Sequence, residues 1–213
     1  MKKFTVITLG CKVNQYESAG LVESLKSYGW EKTADREPAD LCIINTCTVT
    51  GKASMQARQA VRRAVRTHPD ARIVVTGCYA QTEPEVLAEI EGVEAVIGQA
   101  DKHNIPKLIG YQNKMPQPRL RSQCTDIRRE STFKSLDVSS FDSRTRPFLK
   151  VQDGCNAFCT YCIVPHARGR SRSMPAERVL KNLLGYNAAG YREVVLTGIH
   201  LGCYGQDLSP ATD

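Results

Sequence analysis

The sequence predicts an α/β fold, with an open parallel sheet in its first half and a second α/β unit begun after it. Three observations predict this. Short apolar runs alternate with helical patterns along the first 110 residues, the rhythm of strands joined by crossover helices. One run, Leu41-Cys42-Ile43-Ile44-Asn45, is apolar without alternation, as in a strand buried on both faces. The rhythm then breaks over a polar stretch and resumes at Arg146.

Phe4 to Leu9 reads as the first strand, and a helix pattern follows from about Gln15 to Tyr28. Trp30 to Thr33 is a short second strand, and Leu41 to Asn45 the buried one. The helix near residues 52–67 puts Ala57, Val61, Ala64 and Val65 on one face and ends before Pro69. Arg72 to Thr76 is a strand. Thr82-Glu83-Pro84-Glu85 opens a helix with proline in its first turn. Glu94 to Ile97 is a strand, and Asp101 to Ile109 a helix. These elements make a domain over 1–112. Residues 113–145, rich in Ser, Thr and Arg, read as a linker. Over 146–213, Pro147 to Gln152 is a strand, a cysteine-rich loop follows, Pro175 opens a helix to about Ala189, and Glu193 to Thr197 is a strand. One βαβ unit cannot bury its own faces. The second unit is therefore expected to be incomplete, or to pack on the first.

Composition narrows the function classes. The chain of 213 residues is 41% hydrophobic and 24% charged, which excludes a wholly disordered chain. No apolar run approaches the roughly 18 residues of a membrane span, and the N-terminus lacks signal-peptide features. A cytoplasmic protein without a membrane partner is expected. The net charge of +7 is uneven, about +1 over residues 1–110 and +6 over 111–213, which points to a polyanionic partner. Nine cysteines in a reducing compartment favour metal ligation or redox chemistry over a disulfide framework.

Three of the nine follow strands. Cys11 lies beyond Thr8-Leu9-Gly10, Cys47 beyond Ile44-Asn45-Thr46, and Cys78 beyond Val75-Thr76-Gly77. The carboxyl edge of an open parallel sheet is where ligands bind. Three thiolates there suit an iron–sulfur cluster with one iron open, or zinc with a water as fourth ligand. They also fit three small residues in crowded turns. Cys42 lies inside its strand and reads as a core thiol.

A second set sits on one loop, Cys155-Asn156-Ala157-Phe158-Cys159-Thr160-Tyr161-Cys162, between a strand and a helix. Three closely spaced thiolates can hold three irons of a 4Fe–4S cluster and leave the fourth for a non-protein ligand. His166 offers a fourth ligand for zinc instead, and Cys159 with Cys162 a dithiol. The spacing, the aromatic Tyr161 and the strand–loop setting favour a radical S-adenosylmethionine site. Arg168, Arg170 and Arg172 alternate just beyond it. They can pair with the S-adenosylmethionine carboxylate, with cluster charge or with RNA phosphate, or form a solvated loop. Gly198, after the last strand, would let backbone approach a cofactor over the sheet. His200, Cys203 and Cys124 read as loop residues without a task. Arg58, Arg62 and Arg66 form a basic stripe on their helix, a solvated face or an RNA-facing one.

Together these residues resemble a known family. Gly10-Cys11-Lys12-Val13-Asn14, Asn45-Thr46-Cys47, Gly77-Cys78 and the Cys155/Cys159/Cys162 loop with Arg168-Gly169-Arg170-Ser171-Arg172-Ser173 resemble the radical S-adenosylmethionine tRNA methylthiotransferases. The stretch Thr8 to Ser18 looks most like the branch that acts on N6-threonylcarbamoyladenosine beside the anticodon. The isopentenyladenosine and ribosomal protein S12 branches are the alternatives.

The resemblance implies a second unit that begins a partial (β/α) barrel, and two 4Fe–4S clusters. Cys155, Cys159 and Cys162 would hold the one that cleaves S-adenosyl-L-methionine to a radical, and Cys11, Cys47 and Cys78 an auxiliary one that presents sulfur. One S-adenosylmethionine would supply the radical and another the methyl group of a 2-methylthio product, since acid–base chemistry does not displace an unactivated aromatic C–H. It further implies tRNA, an electron donor and a sulfur source as partners. Members continue through more of the barrel and a small RNA-binding domain, so this length is expected to be inactive alone. The competing reading is a zinc- or cluster-containing RNA-binding module that is not an enzyme.

Overall fold

The computed structural model describes residues 2–112, 122–134, 136–141 and 144–209. The first unit runs β1 (Lys3–Thr8), α1 (Lys12–Ser27), β2 (Glu31–Lys32), β3 (Leu41–Thr46), α2 (Gly51–Thr67), β4 (Arg72–Gly77), α3 (Cys78–Thr82), α4 (Pro84–Ala88), β5 (Val93–Ile97) and, after a 3₁₀ turn at Lys102–Asn104, α5 (Ile105–Gln112). Its five strands form one sheet in the order β2-β1-β3-β4-β5, and every pair is parallel.

The continuous apolar run of β3 fits its place at the centre of this sheet. All six of its residues are buried. Leu41 and Ile43 join Leu21 and Leu25 of α1 and Ile105 and Ile109 of α5 on one face. Cys42 and Ile44 join Ala57, Val61 and Ala64 of α2 on the other. Thr50 caps α2 by accepting from the Ala53 N–H at 3.1 Å. The expected apolar face of this helix is the one that is buried, with Val65 at its margin.

The helix expected from Gln15 begins instead at Lys12, directly after Cys11. Its inner face carries Asn14, Glu17 and Ser18, so apolar periodicity understates it. The five-residue α3 offers too few residues for periodicity to register.

The described part of the 113–145 connection is packed. Gln123 bridges to Ile97 at the edge of the sheet, Ile127 is buried, and Val138 and Phe141 fill the seam between the units. Residues 113–121, 135, 142 and 143 lie outside the described residues.

The second unit runs β6 (Phe148–Lys150), β7 (Gln152–Asp153), α6 (Val164–Arg168), β8 (Arg172–Ser173), α7 (Ala176–Ala188) and β9 (Val195–Thr197). The single strand expected over 147–152 divides at Val151. Before it, β6 pairs in parallel with β9; after it, β7 pairs antiparallel with β8. The unit packs on the first through Tyr16 of α1, which lies against Phe141, itself edge-on to Phe148 at 5.8 Å. Among the described residues no helix is long and apolar enough to cross a membrane.

Candidate metal centres

The sheet order reverses between β1 and β3, because β2 lies to one side of β1 while β3, β4 and β5 lie to the other. Such a switch point leaves a crevice at the carboxyl ends of the strands. Thr8 pairs with Asn45 and Asn45 with Thr76, so the three strands end level. Thr46 pairs with Gly77, which sets Cys47 and Cys78 side by side as the chains leave the sheet. Cys11 is the exposed residue preceding α1. Cys47 and Cys78 are buried.

Two glycines permit this crowding. A Cβ at Gly10 would stand 2.9 Å from Cys47 Sγ. Gly77 has φ +101°, and a Cβ there would stand 2.4 Å from the Thr46 carbonyl oxygen. Asn14 ties the first two turns together, donating from Nδ2 to the carbonyls of Leu9 at 2.7 Å and Thr46 at 3.0 Å.

The second set occupies the loop between β7 and α6. Gly154, at φ +71°, starts the loop, and a Cβ there would meet the Arg170 carbonyl oxygen at 1.9 Å. The Cys155 N–H donates to the Gly169 carbonyl at 3.0 Å, and the Cys162 N–H to the Cys159 carbonyl at 2.9 Å. Cys159 is exposed, and Cys155 and Cys162 partly so. Tyr161 points outward at 89% exposure. His166, the candidate fourth zinc ligand, packs edge-on to Phe158.

Sequence reasoning gave His200 and Cys203 no task, yet the structure brings them to this loop. His200 Nδ1 lies 3.9 Å from Cys155 Sγ and 3.3 Å from Cys203 Sγ. The pairing of β6 with β9 explains it, since neighbouring parallel strands deliver their following loops to the same edge. Among the described residues no group of three or more His, Cys, Asp or Glu side chains is assembled to hold a metal ion.

Two of the three alternating arginines are drawn into an internal ion-pair network. Arg168 and Arg172 are buried, and Arg170 alone is exposed. The cause is a pair of buried carboxylates. Glu17 of α1 accepts from Lys102 at 2.6 Å and from Lys150 and Arg168 at 3.0 Å each. Asp153 accepts from Arg168 at 2.9 Å and Lys150 at 3.2 Å. Arg172 donates to the Arg168 carbonyl at 2.6 Å. Burial alone would raise the Glu17 carboxyl, but Arg168, Lys102 and Lys150 outweigh it and hold the group well below its usual range. Asp153 is lowered likewise, with Lys150 and Arg168 overcoming burial.

Gly198 lies tight against Gln152. A Cβ there would meet Gln152 Cβ at 2.9 Å, so its smallness accommodates a protein side chain. Gln152 Oε1 accepts from the N–H groups of Ile199 and His200 at 2.9 and 2.8 Å. On α2, Arg58 donates to the Tyr79 hydroxyl at 2.6 Å, while Arg62 and Arg66 are exposed. Cys42 is a core thiol, pushed by burial up to about 12.

Residues 3–98 match the uncharacterized protein family UPF0004, and residues 149–205 match the radical SAM superfamily. Over 94% of its length the chain is 45% identical to the threonylcarbamoyladenosine tRNA methylthiotransferase MtaB of Bacillus subtilis. Over nearly its whole length the chain is similar to radical S-adenosylmethionine methylthiotransferases. A protein of the same name from Aquifex aeolicus is 38% identical over 94% of the chain. A tRNA-2-methylthio-N(6)-dimethylallyladenosine synthase from Rickettsia bellii is 32% identical over 95%. The chain covers 44%, 48% and 47% of these three relatives, and so spans about half the length of the curated relatives it matches. Both cysteine triads fall within the two matched segments.

Proposed function

We propose that this chain is the cluster-bearing part of a cytoplasmic methylthiotransferase that adds a 2-methylthio group to N6-threonylcarbamoyladenosine in tRNA. The division is a first domain over 1–112, a connection over 113–145 and a radical S-adenosylmethionine domain over 146–213. The observation that carries the reading is the register of β1, β3 and β4, which ends three cysteine-bearing turns level at a switch point, on the unit that adjoins a second cysteine triad.

The donor sets fit iron–sulfur clusters. All nine cysteines are free thiols, and each set offers three soft sulfur ligands, leaving one iron of a four-iron cluster open. Cys11, Cys47 and Cys78 would hold the auxiliary cluster, and Cys155, Cys159 and Cys162 the one that binds S-adenosylmethionine. When bound, that pair supplies the radical needed to replace an aromatic C–H.

The chain's own residues shape the surroundings. The seam of Tyr16, Phe141 and Phe148 excludes water between the units. Gln152 pins the loop after β9 beside the Cys155 loop, donating from Nε2 to the Gly154 carbonyl at 2.8 Å while its Oε1 holds Ile199 and His200. Arg170 and the His200 ring remain exposed at that edge and are placed to meet the S-adenosylmethionine carboxylate or RNA phosphate. The 45% identity to the threonylcarbamoyladenosine enzyme, against 32% to the dimethylallyladenosine one, favours the first branch. An electron donor and a sulfur source complete the partners.

Anaerobic iron and sulfide analysis with electron paramagnetic resonance tests the cofactors. About eight irons per chain are expected from two four-iron clusters, with a spectrum that shifts on adding S-adenosylmethionine; zinc without iron would overturn the reading. Mass spectrometry of tRNA from cells lacking the whole enzyme identifies the branch. Loss of the 2-methylthio group from threonylcarbamoyladenosine is expected, and its loss from the isopentenyl nucleoside instead would reassign it.

A further inference from the structure

A continuous hydrogen-bonded path joins the two cysteine triads. Asp153 Oδ1 accepts from the Gly154 N–H, beside Cys155, at 2.9 Å, and from Arg168 Nη1 at 2.9 Å. Arg168 Nη2 donates to Asn14 Oδ1 at 2.6 Å. Asn14 Nδ2 in turn donates to the Leu9 and Thr46 carbonyls, which directly precede Gly10-Cys11 and Cys47. Asn14 is fully buried. Only one orientation of its amide serves all three partners, because a flip would aim its oxygen at two carbonyls and its NH₂ at a guanidinium. Arg168 therefore fixes the amide that fixes the two turns.

Charge supports the same connection. Lys102, Lys150, Arg168 and Arg172 gather around Glu17 and Asp153, with Glu130 also near Arg172, and the six side chains named first are buried. A buried excess of positive charge is costly unless an anion faces it. Helix α3, which begins at Cys78, packs against α6, which ends at Arg168. The first triad, once it holds a cluster through its thiolates, would be such an anion.

We propose that Arg168 is a positioning residue for the first triad: from the second unit, six residues beyond Cys162, it holds the Cys11 and Cys47 turns through Asn14 and sets the positive charge the triad meets. This rests on the two-cluster reading. It makes one cluster depend on a residue carried by the other's domain.

The test uses the 213-residue chain with Cys155→Ala, Cys159→Ala and Cys162→Ala, in which only the first triad can load. Iron per chain, the resonance spectrum and the reduction potential are read after anaerobic reconstitution with ferrous iron and sulfide. Into this background go Arg168→Met, Arg168→Lys and, as an exposed arginine of the same unit, Arg192→Gln. Arg168→Met is expected to lower the potential, since loss of positive charge disfavours electron uptake, and to alter the spectrum. Arg168→Lys should restore the potential but not the spectrum, because an ammonium lacks the planar fork that serves Asn14 and both carboxylates together. Arg192→Gln should change neither. An Arg168→Met chain that keeps the parent's potential and spectrum, even with a lower melting temperature, overturns the inference and leaves the two-cluster reading intact. If that variant does not fold, Arg168→Lys decides, and an unchanged spectrum overturns the inference. A parent that loads no iron sinks the two-cluster reading, and this inference with it.

Discussion

Arg168 and Asn14, 154 residues apart in the chain, meet at 2.6 Å across the seam between the two units. The contact is one of several that turn the inner face of α1 into a polar interface. Glu17 lies one turn beyond Asn14 on that helix and gathers three cations, two of them from the second unit. The units are thus joined by charge as well as by the aromatic seam around Phe141 and Phe148.

Glu17→Ala should destabilise the chain by about 3–5 kcal/mol, the usual cost of removing one member of a buried ion pair. The loss arises because Lys102, Lys150 and Arg168 stay buried without their shared anion. Urea unfolding midpoints check it. A change within about 0.5 kcal/mol, typical of surface sites, would mean that water reaches these cations.

The same carboxylate gives stability a pH dependence. The folded Glu17 is held well below its usual value by Arg168, Lys102 and Lys150, against the opposing effect of burial. Its contribution is therefore complete above the unfolded value of about 4.3 and is lost as pH falls through the lowered folded value. Asp153, lowered in the same direction, adds to the effect. Unfolding midpoints should hold between pH 7 and about pH 5 and then fall towards pH 3. Glu17→Gln should flatten that fall.

The sheet was legible because its strands obey simple rules: β3 reads as buried from its apolar run, and the Cys11, Cys47 and Cys78 turns follow from where β1, β3 and β4 end. The Cys155 loop was legible from spacing alone. The polar seam was not. Asn14, Glu17, Lys102, Lys150 and Asp153 read individually as surface residues, and only tertiary contact converts them into a buried network. For the same reason the partners of Arg168 and Arg172 were not legible, since they lie over 100 residues away or across the Cys155 loop. His200 and Cys203 were missed because their proximity to Cys155 depends on β6 pairing with β9.

Gly77→Ala and Gly29→Ala separate two costs that glycine avoids. Both positions have positive φ, +101° and +81°, so both substitutions meet backbone strain of about 1–3 kcal/mol. At Gly29 nothing lies within 4 Å of the new Cβ, whereas at Gly77 the Thr46 carbonyl oxygen lies 2.4 Å away. Gly77→Ala should therefore cost more than Gly29→Ala and should push apart the turns that carry Cys47 and Cys78. Denaturant midpoints compare the stabilities. Iron content after anaerobic reconstitution should fall only for Gly77→Ala, and equal iron in the two variants would detach this close approach from the first triad.

Cysteine substitution should divide the nine thiols by environment. On the proposed ligand sets, Cys47→Ala or Cys159→Ala should each remove one cluster, halving iron from about eight to about four per chain. Cys42 and Cys124 should behave otherwise. Neither belongs to a proposed ligand set. Cys42 packs among Ile44, Val61 and Val75 inside the sheet core, and Cys124 donates to the Ala80 carbonyl at 3.3 Å. Cys42→Ala should lower stability by about 1 kcal/mol through the lost packing and leave iron and sulfide unchanged. If it lowers iron as far as Cys47→Ala does, the first ligand set has been drawn around the wrong thiols.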